Sequence, residues 1–436
     1  MANQQVEEKV AKKALVASLI GSSIEWYDYF LYGTVAALVF SKLYFPSEDP
    51  SVGLMLAYAS FAIPFFIRPL GGVIFSHIGD RIGRKKTLVM TLSLMGIATV
   101  LIGLLPSYET IGIWAPILLI TLRLIQGLGI GGEWGGALLL AVEYAPDKKK
   151  GFFGSIPQMG VTIGMLLGTL SISLMTLLPD EAFLAWGWRV PFILSSILVF
   201  IGLWIRNGLD ETPAFKEAQK TGNISKMPLI DTFKYHWRSV LLAVGAKVVE
   251  TAPFYIFSTF IIAYATGTLG FERSSALNAV TIATLITTIM IPFMGKWSDK
   301  IGRKPIYIGG TIAMILYAFP YFYLLSLGSV LWLTIATIIG LGIIWAPITA
   351  VLGTMFSEIF ATNVRYTGVT VGYQLGAAIA GGTAPLIATA LLATYNNSST
   401  PVSIYIIITG IVSLIAIMLI RETRDIKLDQ QEQKVI

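Results

Sequence analysis

The 436-residue sequence contains no cysteine and only two histidines, His77 and His236. The absence of cysteine excludes a disulfide framework, thiolate catalysis, zinc–thiolate sites and Cys-ligated iron–sulfur clusters, and two histidines argue against a His-rich metal site. The sequence also has no phosphate-binding glycine loop that ends in Lys-Ser/Thr and no Ser–His arrangement. We therefore predict that the protein is not an enzyme and that it needs no metal and no cofactor.

Charged residues are also scarce. They form 13% of the chain, about half the usual share of a soluble domain, whereas 55% of the residues are hydrophobic and the mean hydropathy is +0.73. The apolar residues would fill roughly 12 membrane-spanning helices at about 20 residues each. The apolar runs are continuous, unlike the alternating segments of a transmembrane β-barrel. The composition therefore predicts an all-α membrane protein.

Twelve apolar runs are long enough for membrane helices. We predict spans at residues 14–40, 52–76, 87–105, 113–143, 152–178, 189–206, 239–265, 274–296, 305–327, 330–356, 366–392 and 402–420.

The basic residues are distributed very unevenly between these runs. Twenty-three of the 31 lie in the two termini and in the 2–3, 4–5, 6–7 and 8–9 loops, whereas the opposite loops hold only Lys42 and Arg273. The positive-inside rule then places both termini in the cytoplasm. The pI of about 9.2 is explained by this topology, so we predict a multi-pass protein of the cell (plasma) membrane without a nucleic-acid partner.

The longest connection, residues 207–238, divides the chain nearly in half. It is polar and contains two helix-breaking prolines. We predict an N-terminal six-helix bundle at 1–206, a cytoplasmic linker at 207–238, and a C-terminal six-helix bundle with a short cytoplasmic tail at 239–436. The segment 79–85 (GDRIGRK) recurs as 298–304 (SDKIGRK) at an offset of 219 residues. Two such halves make a parallel repeat about an axis along the membrane normal, as in one major class of secondary transporter.

These two loops resemble the signature of the major facilitator superfamily, although Ser76 stands where the family pattern begins with glycine. Four further segments resemble its metabolite:proton symporter branch, whose members move shikimate, dicarboxylates, citrate, proline or betaines with protons. They are residues 21–33 (GSSIEWYDYFLYG), 68–72 (RPLGG), 123–136 (RLIQGLGIGGEWGG) and 211–215 (ETPAF). The resemblance implies the major facilitator fold and alternating access to one central site between the two bundles.

Two carboxylates lie within span 1. Glu25 and Asp28 are three residues apart and face the same side of the helix. A carboxylate in the bilayer is costly and normally faces a cavity or a partner. We predict Asp28, Glu25 and Glu133 as proton-coupling residues. A structural ion pair is the alternative for Glu25, and pairing with Arg123 is the alternative for Glu133.

Several cations and aromatic residues are candidates for binding substrate. Arg68 and Arg123 cannot deprotonate, so each must be paired or must hold an anion. Lys247 and Glu250 either neutralise each other or leave Lys247 to meet an anionic substrate, and the aromatic residues are more often packing or interface residues. The predicted substrate-binding residues are Arg68, Arg123, Lys247, Glu250, Tyr32, Tyr255, Tyr373 and Gln374.

The repeated loops are candidates for a cytoplasmic gate. Their glycine turns let each aspartate lie at a helix end, accept backbone N–H groups and pair with a basic residue. A second, looser repeat adds one glutamate in each half: Glu143 precedes a basic cluster and Gly151, and Glu358 precedes Arg365 and Gly368. The predicted gate residues are Asp80, Arg81, Arg84, Glu143, Asp299, Arg303, Glu358 and Arg365.

The charges of these candidates favour an anionic substrate. Arg68, Arg123 and Lys247 outnumber Glu133 and Glu250 when Asp28 and Glu25 are both protonated during the cycle. About one positive charge is then left for a carboxylate, which suits a bidentate arginine. We predict import of a small organic acid such as shikimate with protons, by a protein that contacts lipid and functions as a monomer. The alternatives are proton symport of a zwitterion such as proline or betaine, whose cation the carboxylates would hold, and an exporter of the same fold.

Overall fold

The computed structural model describes residues 2–82, 84–131, 134–143, 145–207, 228–360 and 365–424. Every regular element in these ranges is helical. This agrees with the composition, because a chain in a bilayer can satisfy its backbone N–H and C=O groups within each helix. The helices that cross the membrane are named span 1 to span 12 below.

The N-terminal half contains the first six spans, joined by short connections. Short helices at Ser41–Leu43, Tyr108–Ile111, Asp147–Lys149 and Asp180–Ala182 lie between or beside them. The spans are Ala2–Val35 with Ala36–Phe40 (span 1), Pro50–Ile82 (span 2), Arg84–Leu104 (span 3), Trp114–Ile130 with Trp134–Glu143 (span 4), Lys150–Met175 (span 5), and Phe183–Gly187 with Arg189–Asn207 (span 6).

The C-terminal half begins with the short helix Pro228–Tyr235, followed by six further spans. Spans 7 and 10 contain π-helical segments, which occur frequently at functional sites. The spans are Trp237–Tyr255, Ile256–Phe260, Ile261–Ala263 and Tyr264–Thr268 (span 7), Arg273–Ile301 (span 8), Arg303–Ser326 (span 9), Val330–Thr337, Ile338–Trp345 and Ala346–Ile359 (span 10), Arg365–Ala380 with Ala384–Thr394 (span 11), and Thr400–Leu419 (span 12).

The described helices account for each predicted span. Eight are long and apolar enough to cross a membrane, and a bent pair, Asp180–Gly187 with Arg189–Trp204, makes a ninth. The shorter apolar helices Val89–Leu104 and Trp114–Ile130 belong to spans 3 and 4, and span 1 is the twelfth. The predicted all-α architecture with twelve spans is confirmed.

The two halves repeat the same internal packing. Span 1 packs on span 5, span 2 on span 4, and span 3 on span 6, and the C-terminal half pairs spans 7 with 11, 8 with 10, and 9 with 12. This is the structural form of the repeat seen in the sequence. The predicted domain boundaries stay a prediction, because residues 208–227 lie outside the described ranges.

Glycines bring spans 2 and 4 close together. A Cβ atom on Gly131 would lie 2.0 Å from the carbonyl oxygen of Arg68, and one on Gly71 would lie 2.2 Å from that of Leu128. No side chain fits at either position, and small residues are what allow helices in a membrane to approach this closely. The contact helps to hold Arg68 and Arg123 in the interior of the N-terminal half, where both are buried.

Candidate functional site

A small cavity lies between the two halves, near the middle of the spans that surround it. Its volume is about 20 Å³, which is room for about one water molecule. Spans 1, 2 and 5 form one wall, and spans 7, 10 and 11 form the other. The lining residues are Trp26, Phe65, Gln158, Val161, Lys247, Glu250, Thr251, Phe254, Tyr255, Trp345, Thr349, Tyr373 and Ala377.

The C-terminal wall of the cavity is built around an ion pair between Lys247 and Glu250 on span 7. The other hydrogen bonds to the Glu250 carboxylate come from the hydroxyls of Thr251 at 2.9 Å and Thr349 at 3.0 Å. The ammonium of Lys247 also lies 3.6 Å from the ring centre of Tyr373, a cation–π contact. A buried charge pair needs such additional partners to offset desolvation.

A polar contact between the halves adjoins this ion pair. Gln158 on span 5 donates from Nε2 to the hydroxyl of Thr349 at 3.1 Å, and Thr349 in turn donates to Glu250. Trp345 donates from Nε1 to the backbone oxygen of Glu250 at 2.5 Å. A ligand that enters between Gln158 and Thr349 would therefore disturb the hydrogen bonds of Glu250.

On the N-terminal side, Arg68 lies in an aromatic box behind the cavity wall. Its guanidinium carbon is 5.4 Å from the ring of Trp26, 4.6 Å from Tyr29 and 4.5 Å from Phe65. Its Nε and Nη2 atoms have no hydrogen-bond partner among the described residues. Since Trp26 and Phe65 also line the cavity, one layer of side chains separates these donors from it.

Arg123 is placed differently, although the sequence made it an equal candidate. It donates from Nη1 to Oε1 of Gln126 at 2.7 Å, from Nη2 to the backbone oxygen of Phe61 at 3.1 Å, and from Nε to that of Ser60 at 3.4 Å. Its guanidinium carbon lies 3.7 Å from the ring centre of Tyr32. Arg123 is therefore held by the N-terminal half itself and does not line the cavity.

The two carboxylates of span 1 have different partners although they are one turn apart. Oδ2 of Asp28 accepts a hydrogen bond from the hydroxyl of Thr99 on span 3 at 2.9 Å, and Asp28 is 1% exposed. Glu25 is 3% exposed and interacts electrostatically with Tyr373 on span 11. Asp28 is therefore bonded within the N-terminal half, whereas Glu25 lies close enough to interact with a residue of the opposite half.

The end of the cavity that the sequence predicts to be cytoplasmic is closed by the second repeated loop. The carboxylate of Asp299 accepts the backbone N–H groups of Gly151 at 2.7 Å and Phe152 at 3.0 Å, at the start of span 5. Arg303 connects Asp299, at 2.9 Å, to Glu358, at 3.3 Å. A charged acceptor at a helix N-terminus is a favourable arrangement, so these contacts tie the two halves together.

The segment after span 12 reinforces this closure. Thr423 donates its hydroxyl to Oε2 of Glu358 at 2.6 Å, and the carboxylate of Glu422 accepts the backbone N–H groups of Arg303 at 2.9 Å and Lys304 at 3.0 Å. Arg303 and Lys304 open span 9, directly after Gly302. Gly302 has a φ of +110°, a conformation that side chains disfavour. Sequence reasoning missed Glu422 and Thr423.

The opposite end of the cavity is closed as well. The hydroxyl of Tyr58 on span 2 donates to the backbone oxygen of Thr259 on span 7 at 3.2 Å. Arg273 and Asp180 form an exposed ion pair at 3.2 Å. The halves therefore make contact above and below the cavity, as an occluded arrangement requires.

The sequence is similar to a known family and to known proteins along nearly its whole length. The family description Major Facilitator Superfamily matches residues 18–371 and 245–434. The chain is 41% identical to the shikimate transporter of Escherichia coli (strain K12) over 417 residues, or 95% of each protein.

The chain belongs to the Major Facilitator Superfamily. It is also 36% identical to the proline/betaine transporter of Salmonella typhimurium, over 96% of this chain and 85% of that protein. A solved D-xylose–proton symporter has a TM-score of 0.70 at 19% identity, over 93% of this chain and 96% of that chain, which shows the fold alone. The protein is therefore a multi-pass membrane transporter of the metabolite type and not an enzyme, and the resemblance stated from the sequence is confirmed.

The structure of this superfamily member brings some predicted residues together and separates others. Of the predicted substrate-binding residues, Lys247, Glu250, Tyr255 and Tyr373 line the cavity. Tyr32 lies beneath Arg123 instead, its hydroxyl 2.6 Å from that of Ser60. Gln374 and Arg365 are buried and do not line it, and Arg365 donates from Nε to the backbone oxygen of Phe360 at 3.3 Å. Five predicted positions lie outside the described residues: Glu133 and the side chains of Asp80, Arg81, Arg84 and Glu143.

Sequence reasoning missed three polar residues of the cavity wall, Gln158, Thr251 and Thr349. Span 5 and span 10 each contain several other serines and threonines, so a hydroxyl at one position gives no signal of its own. Gln158 is the one amide side chain of span 5, and a search for amides within predicted spans would have found it.

Proposed function

We propose that this transporter is a proton-coupled symporter that imports a small organic acid, such as shikimate or a related monocarboxylate, by alternating access. We further propose that it works as a monomer in the plasma membrane with both termini in the cytoplasm. The coupling ion is a proton, and no other cofactor takes part. The 41% identity to a shikimate transporter supports this substrate class.

The observation that carries the proposal is the unused hydrogen-bonding edge of Arg68. On the cavity wall, Lys247 and Glu250 neutralise each other. Arg123, which does not line the cavity, is held by the N-terminal half. Arg68 is buried at 1% exposure, with two donors unused by described residues. A carboxylate satisfies a guanidinium edge with two parallel hydrogen bonds, so an organic acid that displaces Trp26 or Phe65 would complete the site.

Coupling to protons is assigned to Asp28. Its carboxylate is buried, and its Oδ1 atom has no hydrogen-bond partner among the described residues. An ionised carboxylate in such a place is costly, so proton binding relieves that cost. Asp28 does not line the cavity, so a proton and a substrate anion can be bound at the same time.

The second candidate is a zwitterion such as proline or betaine. One observation favours it: Lys247 and Glu250 present both signs of charge to the cavity. Such a ligand would place its carboxylate near Lys247 and its cation near Glu250 and the surrounding aromatic rings. The 36% identity to a proline/betaine transporter is consistent with this alternative.

The test is uptake by the purified protein in proteoliposomes with an acidic exterior. The panel contains shikimate, benzoate, citrate, proline and glycine betaine, each measured with and without a protonophore, and protein-free liposomes are the control. We expect protonophore-sensitive accumulation of shikimate or another monocarboxylate. Accumulation of proline or betaine with no response to any acid would favour the second candidate. Equal uptake with and without the pH gradient would contradict proton symport.

A further inference from the structure

The hydroxyl of Thr99 donates to the Asp28 carboxylate and has a choice of acceptors. The hydroxyl of Thr99 lies 2.9 Å from Oδ2 of Asp28 and 3.0 Å from the backbone oxygen of Met95, one turn earlier in span 3. A hydroxyl carries one proton, so it can donate to only one of these oxygens at a time. Thr99 is fully buried, so solvent does not compete for that proton.

The Thr99 hydroxyl also accepts a hydrogen bond, and its donor is the second residue of the network. Gln126 on span 4 donates from Nε2 to Oγ1 of Thr99 at 2.8 Å. Its Oε1 atom accepts from Nη1 of Arg123 at 2.7 Å. Because arginine has only donors, the oxygen of the amide must face Arg123 and the nitrogen must face Thr99. Arg123 thereby sets the direction of the hydrogen bonds that lead from it to Thr99, without touching Asp28.

We propose that Thr99 and Gln126 are positioning residues that connect Arg123 to the proton site Asp28. They provide the Asp28 side chain with a hydrogen-bond partner in both of its protonation states. This inference rests on the proposed proton coupling. With Asp28 ionised, Thr99 donates its proton to Oδ2. When a proton binds to Oδ2, the acid donates to Thr99, whose own proton turns to the oxygen of Met95. Gln126 donates to Thr99 in both arrangements, so Asp28, Thr99 and Gln126 keep a hydrogen-bond partner in either protonation state.

Few other charges face the Asp28 carboxylate from the helices packed around it. On its own span, Tyr27 interacts electrostatically with it but donates its hydroxyl to the backbone oxygen of Pro191 at 3.1 Å. On span 6, the hydroxyl of Ser195 also interacts with the Asp28 carboxylate and donates to the backbone oxygen of Phe192 at 2.8 Å. The remaining charged residues in the middle of the N-terminal spans are Glu25, Arg68, Arg123 and Glu133, the last outside the described residues.

The decisive variant is Thr99→Val, which keeps the shape of the side chain and removes the hydroxyl. The ionised carboxylate then loses one donor, so the protonated form is favoured. We expect the external pH of half-maximal uptake to rise by about one unit, while exchange of substrate at equal pH continues. Thr99→Ser keeps the hydroxyl and should behave as the wild type. Thr169→Val is the matched control, because Thr169 is equally buried but donates only to Met165 O at 2.8 Å.

A second readout does not depend on transport. Infrared difference titration of the purified protein identifies the carboxyl band that Asp28→Asn removes, and we expect its midpoint to shift upward in Thr99→Val and in Gln126→Glu. Glutamate at 126 can still accept from Arg123 but cannot donate to Thr99. An unchanged midpoint in folded Thr99→Val and Gln126→Glu would overturn the proposed role of Thr99 and Gln126. Failure of wild-type proton-driven uptake with a shifted band would instead overturn only the proposed function.

Discussion

The two halves of this transporter repeat one arrangement of helices but use their buried charges differently. In the C-terminal half, Lys247 and Glu250 form part of the cavity wall. In the N-terminal half, Asp28 and Arg123 lie behind the wall, joined through Thr99 and Gln126. The C-terminal half therefore has charged groups on the cavity wall, whereas Asp28, Arg123 and the proposed substrate-binding residue Arg68 of the N-terminal half lie behind it.

This difference suggests a division of labour. A group on the cavity wall is exposed or covered as the halves move, so it is suited to hold substrate. A group buried within one half keeps its partners during such a movement, so it is suited to store a proton. Trp26 on the cavity wall and Asp28 in the interior are two residues apart on span 1, so this helix connects the two functions.

The largest expected effect is that of Asp28→Asn, which breaks the N-terminal network alone. Asparagine cannot carry the coupling proton, so uphill uptake should be lost. For one coupled proton, a gradient of one pH unit supports about tenfold accumulation in the wild type and about onefold in the variant. Substrate exchange at equal pH should persist. If Asp28→Asn proteoliposomes still accumulate substrate against a gradient, the proton site lies elsewhere, with Glu133 the next candidate.

Lys247→Ala breaks the C-terminal network and should give the opposite result. It leaves Glu250 as an uncompensated buried charge, so we expect a loss of about 3–5 kcal/mol in stability and at least about tenfold weaker substrate binding. The accumulation ratio at saturating substrate should remain that of the wild type.

The control for Lys247→Ala is the double variant Lys247→Met with Glu250→Leu. Removing both charges restores much of the stability, whereas substrate binding stays weak. Unchanged half-saturation in Lys247→Ala, measured by uptake in proteoliposomes, would show that this ion pair is purely structural.

Asp299→Asn tests the closure between Asp299 and the start of span 5. Its effect should be smaller than those of Asp28→Asn and Lys247→Ala. The neutral side chain accepts the N–H groups of Gly151 and Phe152 more weakly than a carboxylate does. We expect about tenfold faster opening to the cytoplasm and little change in substrate affinity. The absence of native cysteine allows a clean measurement: the alkylation rate of Ser155→Cys, which is buried against Gly295 in the closed form.

The same substitution at the first repeated loop, Asp80→Asn, is the matched comparison for Asp299→Asn. Asp80→Asn should depress transport and leave the substrate affinity nearly unchanged. A large loss of affinity with normal expression, in either variant, would show that the loop shapes the binding site.

The helices and the local pairs could be predicted from the sequence, but the contacts between spans could not. Long apolar runs predict spans because the bilayer allows few alternatives, and the spacing of Lys247 and Glu250 predicts a pair on one helix. The partners of Arg123 include carbonyl oxygens of Ser60 and Phe61 on another span. No spacing within span 4 carries that information, which is why Arg68 and Arg123 looked equivalent.

Tyr32→Phe should have the smallest effect and tests that distinction directly. The sequence made Tyr32 a substrate residue, whereas its hydroxyl lies 2.6 Å from that of Ser60 and its ring lies beneath Arg123. Phenylalanine keeps the ring and removes one buried hydrogen bond, so we expect a stability loss of about 1 kcal/mol. Half-saturation and accumulation ratio should stay within about twofold of the wild type, because hydrogen bonds outside the site do not enter binding. A substantially weaker half-saturation in proteoliposome uptake would mean that Tyr32 reaches the substrate in another conformation, and that the separation of the two networks does not hold through the transport cycle.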